Sequence, residues 1–444
     1  MKKLIFTGAA LLMMVTAYAQ TNTTVVNQTG SDHTVNVSQE GDENLIEIIQ
    51  SSTNNTANVT QTAATAFGTV LIDQSGSDNT ATVTQDISLL NLASITQSGD
   101  GNNLEIVQST FSAANQLYID QAGNDNDIDL SQSGFSILNV ADISQSGDRN
   151  YASITQDGFS AFNTAVVDQS GDDNDAYVTQ DFLSGANLAT ISQSGDGNTG
   201  TITQLFLSGL NEAEIDQSGD DGTATIEQLL GLGNFALIDQ AGTGNDAYIG
   251  QAGFGNLAYI EQGALSGDNT AIIIQEGTDN EAVISQTLFS AGNTAAIVQG
   301  GTDNAALIVQ SGLTIGNTAS IIQEGDNNSA SISQSLLSAF NLAGIEQTGN
   351  SNTATISQDL LSGINGAIVV QDGDENLASI TQTLLSGGSE AVITQTGDAH
   401  EASVLQTVGL LNLATVDQTG VGGFVDVAQV GSLNTATVMQ NNLP

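Results

Sequence analysis

Three groups of residues in this sequence are of types that do chemistry. They are two histidines, His33 and His400; carboxylates in short glycine-bearing segments, such as Asp172 and Asp173 in "SGDDN"; and a long, regularly spaced series of glutamines and asparagines. Histidines with carboxylates would suit a metal centre or an acid–base pair. His33 and His400, however, lie far apart in the chain and fall at the same position of the repeat described below, so they read as structural. The acidic segments could attract a hard cation such as calcium. They lack the alternate-residue carboxylate spacing of a dedicated calcium loop, and the expectation is solvated turn carboxylates that bind divalent cations weakly. The amides have a different chemistry. Stacked over one another they donate and accept hydrogen bonds along a line, which joins strands rather than transforming a substrate. With no convergence of acid, base and nucleophile, the sequence reads as non-enzymatic, without cofactor, catalytic residue or dedicated metal site.

The elements that must position these amides follow from their spacing. Glutamines that follow Val, Ile or Leu by two recur from Gln28, Gln39, Gln50 and Gln61 to Gln418, Gln429 and Gln440. Steps of eleven and thirteen alternate over most of the chain, with a few twelves and three places where elevens run together. A full period is therefore about 24 residues, two strands long. The residue two before the glutamine is Val, Ile or Leu in all 36 copies, and six before it stands asparagine in 30. Four before is usually alanine. The unit is Asn-x-Ala-x-Ile-x-Gln, whose period of two marks a strand with one buried face. The outward columns hold Thr, Ser, Asp and Glu together with all five tyrosines after Tyr18 (Tyr118, Tyr151, Tyr177, Tyr248 and Tyr259), and no acid enters an inward column.

Four-residue turns such as Ser-Gly-Asp-Gly after Gln193 alternate with six-residue turns such as Asp-Leu-Leu-Ser-Gly-Ile after Gln358. The fold class expected is all-β: an amyloid-like β-solenoid of about 18 strand-turn-strand rungs, with two parallel sheets facing each other. At about 4.8 Å per rung it makes a rod roughly 85 Å long. Each inward Asn should stack over Asn and each Gln over Gln, with ladder positions including Asn44 and Gln50, Asn150 and Gln156, Asn198 and Gln204, Asn293 and Gln299, Asn352 and Gln358, Asn376 and Gln382, and Asn434 and Gln440. Gly68, Gly222, Ser389 and Gly423 interrupt the asparagine column and mark candidate weak rungs. The apolar pairs of the long turns, Phe206-Leu207, Leu288-Phe289, Leu336-Leu337 and Leu384-Leu385, are expected to recur along one edge and to fill a wider corner of the core.

Residues 1–19 read as a secretory signal: Lys2 and Lys3, an apolar run from Leu4 to Val15, then Ala17-Tyr18-Ala19 ahead of Gln20. Residues 20–444 form one repeat domain, and no later segment is apolar enough to span a membrane. Beyond the signal Arg149 is the one base against 49 acids, which disfavours nucleic acid as a partner. Without cysteine, stability must come from packing and hydrogen bonds.

The unit Gln-x-Gly-x-x-Asn-x-Ala-x-Ile-x-Gln, seen from Gln145 to Gln156 and from Gln347 to Gln358, resembles the curlin repeat. The resemblance covers essentially all of the chain after the signal. It implies a secreted bacterial protein that polymerises at the cell surface into curli-like amyloid fibres of the biofilm matrix, with roles in adhesion and aggregation. Its partners would be further copies of itself, a related nucleator and an outer-membrane secretion pore, and Asn150, Gln156, Asn352 and Gln358 would be polymer-forming residues. The array departs from the family in having more repeats, a mostly longer period and no glycine-rich leader after the signal. Two other readings compete with the fibre: a monomeric solenoid acting as adhesin or stalk, and an ice-binding face of outward Thr and Ser, which Glu47, Asp73 and Glu105 interrupt. No polar cap is read before Asn22 or after Gln440, which favours the fibre.

Overall fold

The computed structural model describes residues 21–442 apart from residue 63. The signal assigned to residues 1–19 lies outside the described residues. The described chain forms 36 strands, numbered β1 to β36 in chain order, and no helix. Strand β1 (Thr23–Ser31) pairs in parallel with β3 (Leu45–Thr53), and β2 (Thr34–Gln39) with β4 (Thr56–Gln61). The rule continues to β34 (Leu413–Val421) against β36 (Thr435–Asn442). Odd-numbered strands build one parallel sheet, even-numbered strands the other, and each successive pair adds a rung to a β-solenoid.

Register is set by the buried face. Gln28 lies over Gln50, Ile332 over Ile356, and Ala354 over Ala378. The Ala and Ile columns of the two sheets meet in one continuous core in which Ala354, Ile308 and Ile380 have no exposed surface. Each buried isoleucine contributes about 2 kcal/mol, and no rung could fold on that alone, so stability must propagate from rung to rung. No Asp or Glu is buried among the described residues.

The turns define two long edges of the rod. The first carries the turns from odd to even strands, the second those from even to odd. The long turns do not stay on one edge. On the second edge they run from Thr62 to Gly233, as the stacked bridges Ala161 to Gly185 to Gly209 to Leu232 record. Leu232 then stacks on Phe254 and Phe254 on Thr278, both in short turns. On the first edge the reverse happens: Asp220 of a short turn stacks on Thr243, and Thr243 on Gly267, which opens the series of long turns through Ala291, Ile315 and Ala339. The switch lies where two steps of eleven adjoin, from Gln240 through Gln251 to Gln262. An extra short turn changes the parity of the alternation and passes the long turns to the opposite edge. The expectation of a single apolar edge is therefore corrected to two half-length ones.

The expectation that the apolar pairs fill the core is also overturned. Phe206 and Leu207 are 47% and 61% exposed, and Leu384 and Leu385 48% and 60%. Their backbones are left-handed, φ being 56° and 58° at the first pair and 56° and 62° at the second. That conformation turns the side chains outward. The corner is filled instead by a small residue two places after the pair's first member, such as Ser208, Ser338 or Ser386.

Candidate functional site: stacked amide ladders

The glutamine column is a line of side-chain hydrogen bonds parallel to the rod. Gln50 Nε2 donates to Gln74 Oε1 at 2.8 Å, Gln156 to Gln180 at 2.9 Å, and Gln204 to Gln228 at 2.8 Å. Gln299 donates to Gln323 at 2.9 Å, Gln358 to Gln382 and Gln382 to Gln406 at 2.8 Å, and Gln440 Oε1 accepts from Gln418 at 2.9 Å. At most rungs the amide also donates to main chain: Gln358 Nε2 reaches Leu342 O in the other sheet at 3.2 Å and Asn365 O at 3.3 Å. Thus the glutamines join rungs vertically and sheets horizontally, and they stay buried without an orphaned polar atom.

Asparagine stacks on asparagine and adds bonds to the main chain: Asn352 Nδ2 donates to Asn328 Oδ1 at 3.2 Å and Asn376 Nδ2 to Asn352 Oδ1 at 3.1 Å. Its Oδ1 accepts the backbone N–H of the asparagine on the next rung: Asn174 N donates to Asn150 Oδ1 at 3.0 Å, Asn317 N to Asn293 at 2.8 Å, and Asn376 N to Asn352 at 3.0 Å. Its Nδ2 donates to the turn of that next rung. Asn150 reaches Gly171 O at 2.8 Å, Asn198 reaches Gly219 O at 2.6 Å, and Asn376 reaches Gly397 O at 2.8 Å. At long turns the acceptor is the buried hydroxyl: Asn139 to Ser160 Oγ at 2.7 Å, and Asn293 to Thr314 Oγ1 at 3.0 Å. Asn44 Oδ1 accepts from Gly68 N at 2.8 Å, and Asn434 N donates to Asn412 Oδ1 at 3.0 Å. The short side chain keeps the neighbouring main chain within its reach.

The column's exceptions obey the same geometry. His400 Nδ1 accepts Gly423 N–H at 3.0 Å and its Nε2 lies 3.1 Å from Gly420 O, so the ring's two nitrogens replace an asparagine's oxygen and nitrogen. His33 repeats this with Asn55 N at 3.3 Å and Thr29 O at 3.3 Å. Gly68 supplies no donor to the turn above it, and Ser88 Oγ is left buried without a partner. The glycine two places after the glutamine in a short turn is required by close approach. A Cβ on Gly147 would run into the Gly171 carbonyl oxygen, and φ at Gly147 is 103°.

Two further ladders escaped the reading of the sequence. The Ser and Thr of the long turns form one, and recurrence at a fixed place after the glutamine was its signal. The other is acidic: Asp172 Oδ1 accepts Asp148 N–H at 2.9 Å, Asp196 accepts from Asp172 N at 2.8 Å, and Asp374 accepts from Asn350 N at 2.8 Å. Turn carboxylates thus hold main-chain N–H groups of the neighbouring rung. No group of three or more metal-ligating side chains occurs among the described residues. Arg149 clasps Asp173 through Nε at 2.7 Å and Nη2 at 2.8 Å, which lowers the Asp173 carboxyl below its ordinary range. On the outward faces, burial followed by a hydrogen bond to Asp129 pushes Tyr151 up to about 12. Asp239, stacked between Asp216 and Glu261, is raised by desolvation first and then by those like charges.

The ladder contacts run mainly from one rung to the next, with glutamine also reaching across to the other sheet. A sequence profile described as the curlin associated repeat matches residues 30–62, 41–86, 91–134, 139–161, 161–181, 231–263, 339–359 and 388–420. Comparison with curated proteins gives no match. Matched in this way over about half of its length, with the glutamine ladder running unbroken through the segments between, the chain belongs to the curlin-repeat family.

Proposed function

We propose that this is a secreted structural protein whose rods join end to end into amyloid fibres of the extracellular matrix, where they serve surface adhesion and cell aggregation. The observation that supports it is the state of the terminal rungs. Every residue of β1 is exposed, including the inward-column residues Val26, at 40%, and Gln28, whereas the equivalent Ile72 is 2% exposed. At the other end, β36 leaves Val438 and Gln440 partly uncovered. Among the described residues no further strand lies on either face. Exposed parallel strand edges with unpaired main-chain groups template addition of another strand.

The ends are also complementary in polarity. Gln28 Nε2 donates inward to Gln50 and its Oε1 faces outward, while Gln440 accepts from Gln418 and its Nε2 faces outward. Growth by this means is head to tail and parallel. A nucleator would need to offer only one such end, and export through an outer-membrane pore would precede folding. The curlin-repeat family is a structural one without enzymatic activity.

The test uses two full-length variants, each with a lysine in an inward column of one terminal rung. Val26→Lys blocks the first end and Val438→Lys the last. The unsubstituted chain should form fibres with a cross-β reflection near 4.8 Å, each variant alone should remain monomeric, and their mixture should stop at dimers. A chain that stays monomeric at high concentration, or variants that polymerise like the parent, would overturn the reading and favour a monomeric stalk.

A further inference from the structure

We infer that the rods also bind one another side by side, the partner being a second copy of this chain laid parallel and displaced by about half a rod length. The structure assigns this role to the apolar corners. On the second edge of the first half, Phe111, Phe135 and Phe159 stack with ring centroids 5.0 and 4.9 Å apart, and Phe182 packs on Phe206 at 5.4 Å. These rings are between 45% and 57% exposed. On the first edge of the second half, Leu288, Leu337, Leu361 and Leu385 are between 50% and 61% exposed. A large side chain left half in water shows on the order of 100 Å², so with about two per rung each half-rod exposes on the order of 1,000 Å². That exceeds the few hundred Å² of an ordinary monomer patch and is enough for one side of a specific interface.

Two costs are borne to put them there. The apolar surface faces water, and the backbone beneath it is left-handed, with φ 66° at Phe159, 66° at Leu337 and 63° at Leu361. Glycine adopts that conformation freely, whereas in leucine or phenylalanine it brings Cβ too close to the following carbonyl oxygen. The side chains contribute nothing to the core in return, so their use lies at the surface.

The occupant follows from the switch of edges. Opposite each apolar half-edge runs a carboxylate half-edge: Asp100, Asp172 and Asp196 on the first edge, and Asp303, Asp326 and Asp374 on the second. Two parallel rods in register, the second edge of one against the first of the other, would set phenylalanine and leucine against carboxylates along their whole length; turned second edge to second edge, they would still set carboxylates against carboxylates over half of it. Displacing one by about half its length sets the Phe159 corner of one rod against the Leu337 and Leu361 corners of the other, apolar to apolar. The contact is heterologous and repeats, so it builds ribbons rather than closed pairs. It is independent of end-to-end growth, since neither terminal rung takes part.

The chain has no cysteine, so disulfide trapping reads the arrangement directly. In full-length chains also carrying Val26→Lys, which removes end-to-end growth, Phe159→Cys and Leu337→Cys are made separately. The expected result is a disulfide between the two variants when mixed and little with either alone. Self-linking of Phe159→Cys alone would overturn the inference in favour of a closed twofold pair, parallel or antiparallel. Linking of Phe159→Cys to Asp172→Cys as readily as to Leu337→Cys would overturn it in favour of in-register or unspecific contact, as would no linking at all. Both corner positions point into water, and Phe135→Cys with Leu313→Cys replaces them should either variant fail to fold. Fibre length in the background without Val26→Lys reads end-to-end growth separately, so the two proposals can fail independently.

Discussion

The long-turn serine shows how much a single buried hydroxyl decides in a stacked fold. Ser160 Oγ accepts from Asn139 Nδ2 at 2.7 Å and donates to Gln156 O at 3.0 Å, linking an asparagine of one rung to the strand end of the next. Ser88 occupies the equivalent corner above Gly68 and has neither bond. Removing a satisfied buried partner leaves its mate unpaired, at about 1–3 kcal/mol, whereas removing a hydroxyl already orphaned relieves a cost of the same kind. Ser160→Ala should therefore destabilise by about 1–2 kcal/mol, and Ser88→Ala should be neutral or stabilising. Local hydrogen exchange at the flanking strands measures both, and equal losses at the two sites would refute the account. The two serines differ in what lies beneath, Gly68 under one and Asn139 under the other, and in their turns, five residues long at Ser88 and six at Ser160.

At the scale of strands and turns, alternation was legible because a period of two leaves no other element open. Asn352 to Gln358 alternates small or apolar with polar residues, and the burial of β29 (Thr353–Asp359) follows it position by position. What was not legible came from the turns. An apolar pair such as Leu360 and Leu361 reads as core on hydropathy alone; it is exposed because two successive left-handed residues swing it outward, a property of the backbone that side-chain type does not disclose. In the asparagine column amide does meet amide, as at Asn328, Asn352 and Asn376; what the spacing did not disclose is that the short side chain also binds the main chain of the next rung. Electrostatics between neighbouring strands is likewise a matter of register. Asp239 lies between Asp216 and Glu261 on adjacent strands, half-buried, and its pKa is raised in the folded rod by desolvation and then by its like-charged neighbours. A raised carboxyl pKa means that folding favours the protonated form. The group's favourable contribution is complete below the unfolded aspartate range of about pH 3.9 and is lost as pH rises through the higher folded value. Asp239→Asn should accordingly stabilise the rod at neutral pH, the gain shrinking to nothing on acidification, as thermal melts across that window would record. A gain that persisted in acid would locate the effect elsewhere than in charge.

For the whole molecule, the glutamine steps encode more than length. Strands of the two sheets carry the same inward columns, so any strand can follow any other, and the order of short and long turns alone decides which edge each corner occupies. The consecutive short turns around β20 (Asp246–Phe254) are where that order reverses. Deleting residues 241–251 removes one short turn with its strand and joins Gln240 directly to Ala252, leaving the next glutamine, Gln262, eleven residues on. Every later strand then changes sheet, but its Ala, Ile and Gln columns still meet identical columns, so the shortened rod should fold with little loss per rung. All long turns now share the second edge, and the acidic turns share the first. A rod with one apolar edge has a single lateral partner surface. It can pair only with the same edge of another copy, related by a twofold axis along or across the rods, and that contact closes. The deletion should thus turn ribbons of indefinite width into pairs of rods seen by electron microscopy, and should turn Phe159→Cys from a residue that links only to Leu337→Cys into one that links to itself. Ribbons of unchanged width would mean that the edge switch plays no part in lateral contact, whatever becomes of growth at the ends.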